Sequence, residues 1–151
     1  MTHLRLENFL LSSLAEDWMS LGDFLFFATR ITPRVSTAAD VAEVVRDLAT
    51  RGLIELGGWS DDGRFEVWDV SVDEALHRIA HGFQGEAGYL NGDTGVPGRT
   101  EVFRANLTAL GEERLSEPGD PYDNYGDPWS EVPHLRIAHT VPPWREADDR
   151  P

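Results

Sequence analysis

The chain has 151 residues, of which 40% are hydrophobic, and its formal net charge at pH 7 is −14. This apolar content is enough for one folded domain and excludes a chain that is disordered throughout. It has no cysteine, which excludes disulfides and thiol nucleophiles, and no lysine, which excludes Schiff-base and P-loop chemistry. All 13 basic residues are arginine, whose codons are rich in G and C, and this favours a bacterial source.

Two helices are predicted before Pro33. Apolar residues at helical spacing predict the first helix over residues 5–16, with an inward face of Leu6, Phe9, Leu10 and Leu14. A second helix is predicted from a capping box at Ser20 and Asp23 to about Ile31, because a capping hydroxyl and an acidic third residue satisfy free backbone amides. Pro33 then ends it.

A third helix is predicted over residues 38–51. It begins at a second capping box, Thr37 and Asp40, and Gly52 follows as a stop. Its periodicity predicts a buried face of Val41, Val45 and Leu48. The opposite face carries Glu43, Arg46, Asp47 and Thr50, and we expect Asp47 to pair with Arg51 one turn later.

After the third helix the pattern changes to short strands and helices. The predicted elements are a strand over 53–56, a turn at 60–63, a returning strand over 65–68, a helix over 72–82 capped by Ser71 and Glu74, a strand over 101–108 and a helix over 109–115. Residues 82–98 contain six glycines, which predicts a long, mobile loop.

From residue 117 the composition shifts to Pro, Asp and aromatic residues without periodicity. We therefore divide the chain into a domain over 1–116 and an acidic tail over 117–151. The tail aromatics are Tyr122, Tyr125, Trp129 and Trp144. Two alternatives stay open, since such a segment can either cover its own domain or fold against a basic partner. Packing is favoured for 117–137, where Leu135 and Ile137 alternate as in an edge strand, and a free end is favoured after Pro142.

Three helices followed by a strand, a turn and a strand is the order of a winged-helix domain. The stretch Val44-Val45-x-x-Leu48-x-x-x-Gly52-Leu53-Ile54 resembles the third helix of such domains running into the wing. The stretch Leu107-Thr108-x-x-Gly111-x-x-x-Leu115 is similar to the end of the wing in bacterial regulators of the MarR and PadR groups. The resemblance covers residues 5–70 and 101–115. It implies an α+β fold with a three-helix core and a small antiparallel wing sheet, into which residues 71–100 are inserted.

The resemblance also implies that the third helix binds DNA, but its outward residues argue against this role. Carboxylates dominate the outward face, and Asp61 and Asp62 add two more at the wing turn beside Arg64. Affinity for DNA comes mainly from cations that neutralise phosphates. We therefore expect a protein partner, with a basic protein favoured, and no nucleic acid. The candidate contact residues are Glu43, Arg46, Asp47, Asp61, Asp62, Tyr122, Tyr125, Trp129 and Trp144.

No combination of residues predicts catalysis, a metal or a cofactor. His77 and His81 share a helix face with Asp73, but the zinc-protease pattern is absent. Asp93-Thr94-Gly95 has the sequence of the aspartic-protease tripeptide, but it follows turn residues and not an apolar strand, so it predicts a loop. The predicted function is a non-catalytic interaction module such as an immunity protein, an antitoxin, an adaptor or a DNA mimic. The alternative is a winged-helix transcriptional regulator that binds DNA as a dimer. Neither a signal peptide nor a membrane span is expected, so we predict a cytoplasmic location without membrane partners.

Overall fold

The computed structural model describes residues 2–35, 37–60, 62–91 and 101–130. Within these ranges the chain is α+β, as predicted, with helices around a small antiparallel three-stranded sheet. None of the helices in these ranges is long and apolar enough to cross a lipid bilayer. In chain order the elements are α1 (Leu4–Leu14), α2 (Leu21–Ile31), α3 (Ala38–Thr50), β1 (Ile54–Trp59), β2 (Phe65–Val67), α4 (Val72–His81), β3 (Arg104–Leu107), α5 (Ala109–Ser116) and α6 (Pro121–Tyr125).

The predicted caps fix where the helices begin. Ser20 and Asp23 form a complete capping box at α2, and Thr37 forms another with Asp40 at α3, so both predictions are confirmed. At α4, the Ser71 side chain accepts a hydrogen bond from the Glu74 amide at 3.1 Å. Each cap satisfies a backbone amide that has no partner within its helix.

β1 is the central strand of the sheet. β2 returns along one side of it, with Trp59 opposite Phe65, and β3 pairs along the other side, with Ile54 opposite Leu107. The insert that contains α4 therefore lies between two strands that both pair with β1. A Cβ atom at Gly57 would lie 2.1 Å from the carbonyl oxygen of Glu66, so the close approach of β1 and β2 requires glycine there.

The predicted buried face of α3 is confirmed. Val41, Val45 and Leu48 have no exposed surface, and they belong to one core that joins α1, α2, α3, α4 and the sheet. The largest fully buried side chains of this core are Phe9, Phe24 and Phe103. The strand predicted over 101–108 is shorter than expected, because pairing with β1 begins only at Arg104.

The segment after α4 begins with a tight turn where a long loop was predicted. Phe83 and Glu86 exchange two backbone hydrogen bonds of 3.0 Å, and Gln84 and Gly85 between them have φ values of 50° and 86°. Farther along, the Asn91 side chain donates to the carbonyl of His81 at 2.6 Å. Residues 82–91 are thus folded back onto the end of α4, while residues 92–100 lie outside the described ranges.

The beginning of the tail is helical and packs against the domain, so the prediction of an irregular tail is wrong at α6. Asp120 caps α6, and Pro121 occupies its first turn, where a missing amide hydrogen costs nothing. Asn8 of α1, itself buried, donates to the carbonyl of Gly119 at 2.9 Å. Residues 117–130 therefore continue the structure of 1–116. The strand predicted around Leu135 and Ile137 and the free end after Pro142 lie outside the described residues.

Candidate functional site

The outward face of α3, defined as Glu43, Arg46, Asp47 and Thr50, is oriented as predicted. Burial of the opposite side turns Glu43 and Thr50 to solvent and leaves Arg46 and Asp47 half-buried. Helix α4 packs against α3, so the insert contributes to the surroundings of this face. The charges of the face must therefore be considered together with those of α4.

Arg46 is held by carboxylates from two helices. Its guanidinium lies 3.3 Å from Glu43 of the same helix and donates a hydrogen bond to Asp73 of α4. The hydrogen bond to Asp73 is the main cause that raises the pKa of Arg46 above its ordinary value. The cation at the centre of the α3 face is thereby neutralised within the molecule.

Asp47 forms the predicted ion pair with Arg51, at 2.9 Å, and has further partners. The backbone amide and the hydroxyl of Thr2 donate to its carboxylate at 2.9 and 2.6 Å. Burial acts to raise the pKa of Asp47, but the hydrogen bonds from Thr2 and Arg51 outweigh it and lower the pKa from 3.8 to about 2. Asp47 is thus committed to contacts inside the molecule.

The lowered pKa of Asp47 predicts a loss of stability in acid. Since the folded-state pKa lies below the unfolded value, the ionised carboxylate stabilises the fold above pH 3.8, and this contribution is lost as the pH falls towards about 2. We expect Asp47→Asn to cost roughly 1–2 kcal/mol at neutral pH and progressively less below pH 4. Urea unfolding of both proteins from pH 7 to about pH 3 measures the difference. A difference that stays constant over this range would contradict the assignment.

Glu7 of α1 is a buried carboxylate that the sequence analysis missed. Its side chain is only 3% exposed and lies between Arg51 and Arg114, with 2.9 Å between its carboxylate and the Arg114 guanidinium. Arg51 also binds Asp47, so one continuous set of charges connects α1, α3 and α5. The sequence contained a signal for this buried position. Glu7 lies on the same side of α1 as two apolar residues, Leu11 one turn later and Leu14 two turns later.

The turn between β1 and β2 carries a second neutralised arginine. Arg64 donates to Asp62 through Nε at 2.9 Å and through Nη2 at 2.5 Å, and Ser60 also donates to the Asp62 carboxylate. The hydrogen bonds from Arg64 are the main cause that lowers the pKa of Asp62. Asp61, the other residue predicted here, lies outside the described residues.

The tail aromatics are divided between surface and interior. Trp129 is 2% exposed and packs on α2, stacking on Phe26 with 5.0 Å between ring centroids. Tyr122 and Tyr125 are each 44% exposed, and both rings also contact Phe9. Among the predicted contact residues of the tail, only the two tyrosines are thus on the described surface, and Trp144 lies outside the described residues.

A cleft of about 410 Å³ lies between the end of β1 and the turn at 83–86. We call it the aromatic cleft and define it by the lining residues Trp59, Trp68, Phe83, Glu86 and Glu101. Sequence analysis missed it, because the lining comes from β1, from the segments on either side of α4 and from the approach to β3. Only the pairing of both outer strands with β1 brings these segments together.

The histidines of α4 form a pair. The rings of His77 and His81 have centroids 4.4 Å apart, as expected for residues one turn apart, whereas Asp73 binds Arg46. Across the described ranges, no group of three or more His, Cys, Asp or Glu residues is placed to hold a metal ion. Asp93-Thr94-Gly95 falls in the segment that is not described.

Comparison with known proteins returned no match to a family model, a curated protein or a solved structure.

Proposed function

We propose that this chain is a non-catalytic, winged-helix-like module that binds a basic protein partner. Its contact region is the acidic surface, which we define as the exposed carboxylates of residues 38–81, namely Asp40, Glu43, Asp62, Glu66, Asp69, Asp73 and Glu74. Immunity proteins, antitoxins, adaptors and DNA mimics are classes that fit an acidic protein which binds its partner without catalysis.

The order of elements supports the winged-helix part of the proposal. Three helices precede the β1–β2 hairpin, and β3 leads through Thr108 into α5, in the order that the resemblance implies. The departure is the insert between β2 and β3, which adds α4 beside α3. In this account, the insert converts the region next to the third helix from a groove-binding surface into a protein-binding one.

One observation carries the functional part. Residues 38–81 contain ten acidic residues and four arginines, and all four arginines form ion pairs with carboxylates of this chain. They are Arg46 with Glu43 and Asp73, Arg51 with Glu7 and Asp47, Arg64 with Asp62, and Arg78 with Glu74. The cations are thus already engaged, and the excess charge is negative.

This arrangement suits a basic protein and opposes a nucleic acid. A protein binds duplex DNA by releasing counterions from phosphates that its cations neutralise, and here each cation would first have to leave a carboxylate. The remaining carboxylates would repel phosphates and attract a positively charged partner at long range. Charge complementarity of this kind speeds association and selects the partner.

A gel-shift titration with duplex DNA at low salt tests the proposal against the regulator alternative. We expect no retarded band at micromolar protein. Low salt favours the binding of DNA to any cationic surface, but the four arginines of residues 38–81 are all paired with carboxylates. A retarded, salt-sensitive band that disappears in Arg46→Ala would contradict the proposal. It would show that α3 contacts DNA and would make the chain a DNA-binding regulator.

A further inference from the structure

The aromatic cleft has walls of the kind that hold planar cations. Trp59 is 41% exposed and borders the cleft together with Trp68 and Phe83. Aromatic faces attract cations through their quadrupole, and a guanidinium also stacks on them. The cavity is far too small for a protein segment with tertiary structure, but it is large enough for a single long side chain.

The chain's own arginines already use this chemistry on the same rings. The Arg78 guanidinium lies 3.8 Å from the ring centroid of Phe83 and 5.2 Å from that of Trp68. Arg104 lies 5.6 Å from the ring centroid of Trp59. Neither arginine is among the residues that line the cleft.

Carboxylates supply the complementary charge. Glu86 and Glu101 are both exposed and line the cleft, and Glu101 already accepts a hydrogen bond from Arg104. A carboxylate and an aromatic face together recognise a guanidinium. The edge of the guanidinium donates hydrogen bonds to the carboxylate, and its plane stacks on the ring.

The cleft is also held in place before any ligand arrives. Trp59 packs edge-on against Trp18 with 4.7 Å between ring centroids, and the hydrogen-bonded turn at 83–86 fixes Phe83. Gln84 in that turn has a φ of 50°, which is uncommon for a residue other than glycine. Little ordering is needed on binding, which favours affinity.

We propose that the aromatic cleft receives an arginine side chain of the basic protein partner, an inference that rests on the proposed function. The guanidinium stacks on the exposed ring of Trp59, and its edge donates to Glu86. In this contact, the cleft provides the specific recognition, and the acidic surface provides the general electrostatic attraction.

Titration of the full ¹⁵N-labelled chain with N-acetyl-arginine methylamide tests the inference. The indole N–H signals of Trp59 and Trp68 report on the cleft, and that of buried Trp129 serves as an internal reference. We expect saturable shifts of the Trp59 and Trp68 signals and no shift of the Trp129 signal, and we expect no shifts with the neutral citrulline analogue. Glu86→Gln, alone and combined with Glu101→Gln, should weaken binding at least several-fold. The charge-matched control Glu112→Gln/Glu113→Gln, on exposed positions of α5, should bind like the wild type.

The outcomes separate this inference from the proposed function. Equal binding of the citrulline analogue, or equal affinity of the cleft variants and the control, would overturn the cleft assignment. If a labelled arginine-rich peptide still bound the wild type in either case, the proposed function would stand without the cleft. If neither the peptide nor the arginine derivative bound, both proposals would fail.

Discussion

Glu7→Ala is expected to destabilise the protein by about 2–3 kcal/mol, because it removes the buried carboxylate that joins Arg51 and Arg114 and leaves each arginine with only its second carboxylate partner. The loss exceeds that of an exposed ion pair, since Glu7 is 3% exposed and its partners are largely removed from solvent. Urea unfolding followed by tryptophan fluorescence measures the change in the free energy of unfolding.

Glu113→Ala is the matched control for this experiment. Glu113 is exposed on α5, so its loss should change stability by no more than about 0.5 kcal/mol. Equal effects of the two substitutions would mean that Glu7 is not buried between the arginines. The connection of α1, α3 and α5 through charged groups would then be incorrect.

Trp129→Ala is expected to cost about 3–5 kcal/mol, which is the usual range for removing a buried aromatic side chain. The indole stacks on Phe26 and meets the edge of Phe27, so its removal uncovers the outer side of α2. Arg30 of α2 also donates to the carbonyl of Pro128, so the loss should loosen the neighbouring backbone.

Trp129→Phe distinguishes packing from a role in partner binding, because phenylalanine keeps an aromatic ring in the same place. Its cost should be clearly smaller than that of Trp129→Ala, and urea unfolding compares the two. If Trp129→Ala left the stability unchanged, residues 117–130 would not be part of the folded domain. The tail would then be available to a partner as a whole, which was the alternative left open by the sequence.

Local signals explain why α2 and α3 were predicted well. The α2 and α3 capping boxes depend on residues three positions apart, and the buried face of α3 follows from helical periodicity alone. The pairing of Asp47 with Arg51 is equally local. Such features need no knowledge of the rest of the fold.

Features that depend on distant segments were missed. The partners of Glu7 come from α3 and α5, far along the chain, and the docking of α6 on α1 uses the buried side chain of Asn8. The aromatic cleft exists only because β2 and β3 both pair with β1. A helical wheel would have identified Glu7 as an anomaly on an apolar flank, but not the arginines that bind it.

The most direct test of the central claim is the affinity of a fluorescent arginine-rich peptide for charge-matched variants. Two are compared at physiological salt: Glu66→Gln/Asp69→Asn on the acidic surface and Glu112→Gln/Glu113→Gln on α5, both with the same net charge. If the acidic surface binds the partner, the first pair weakens peptide binding several-fold and the second leaves it close to the wild-type value. Equal affinities for the two variants would show that the peptide senses only the overall charge, which would contradict a specific binding surface on residues 38–81.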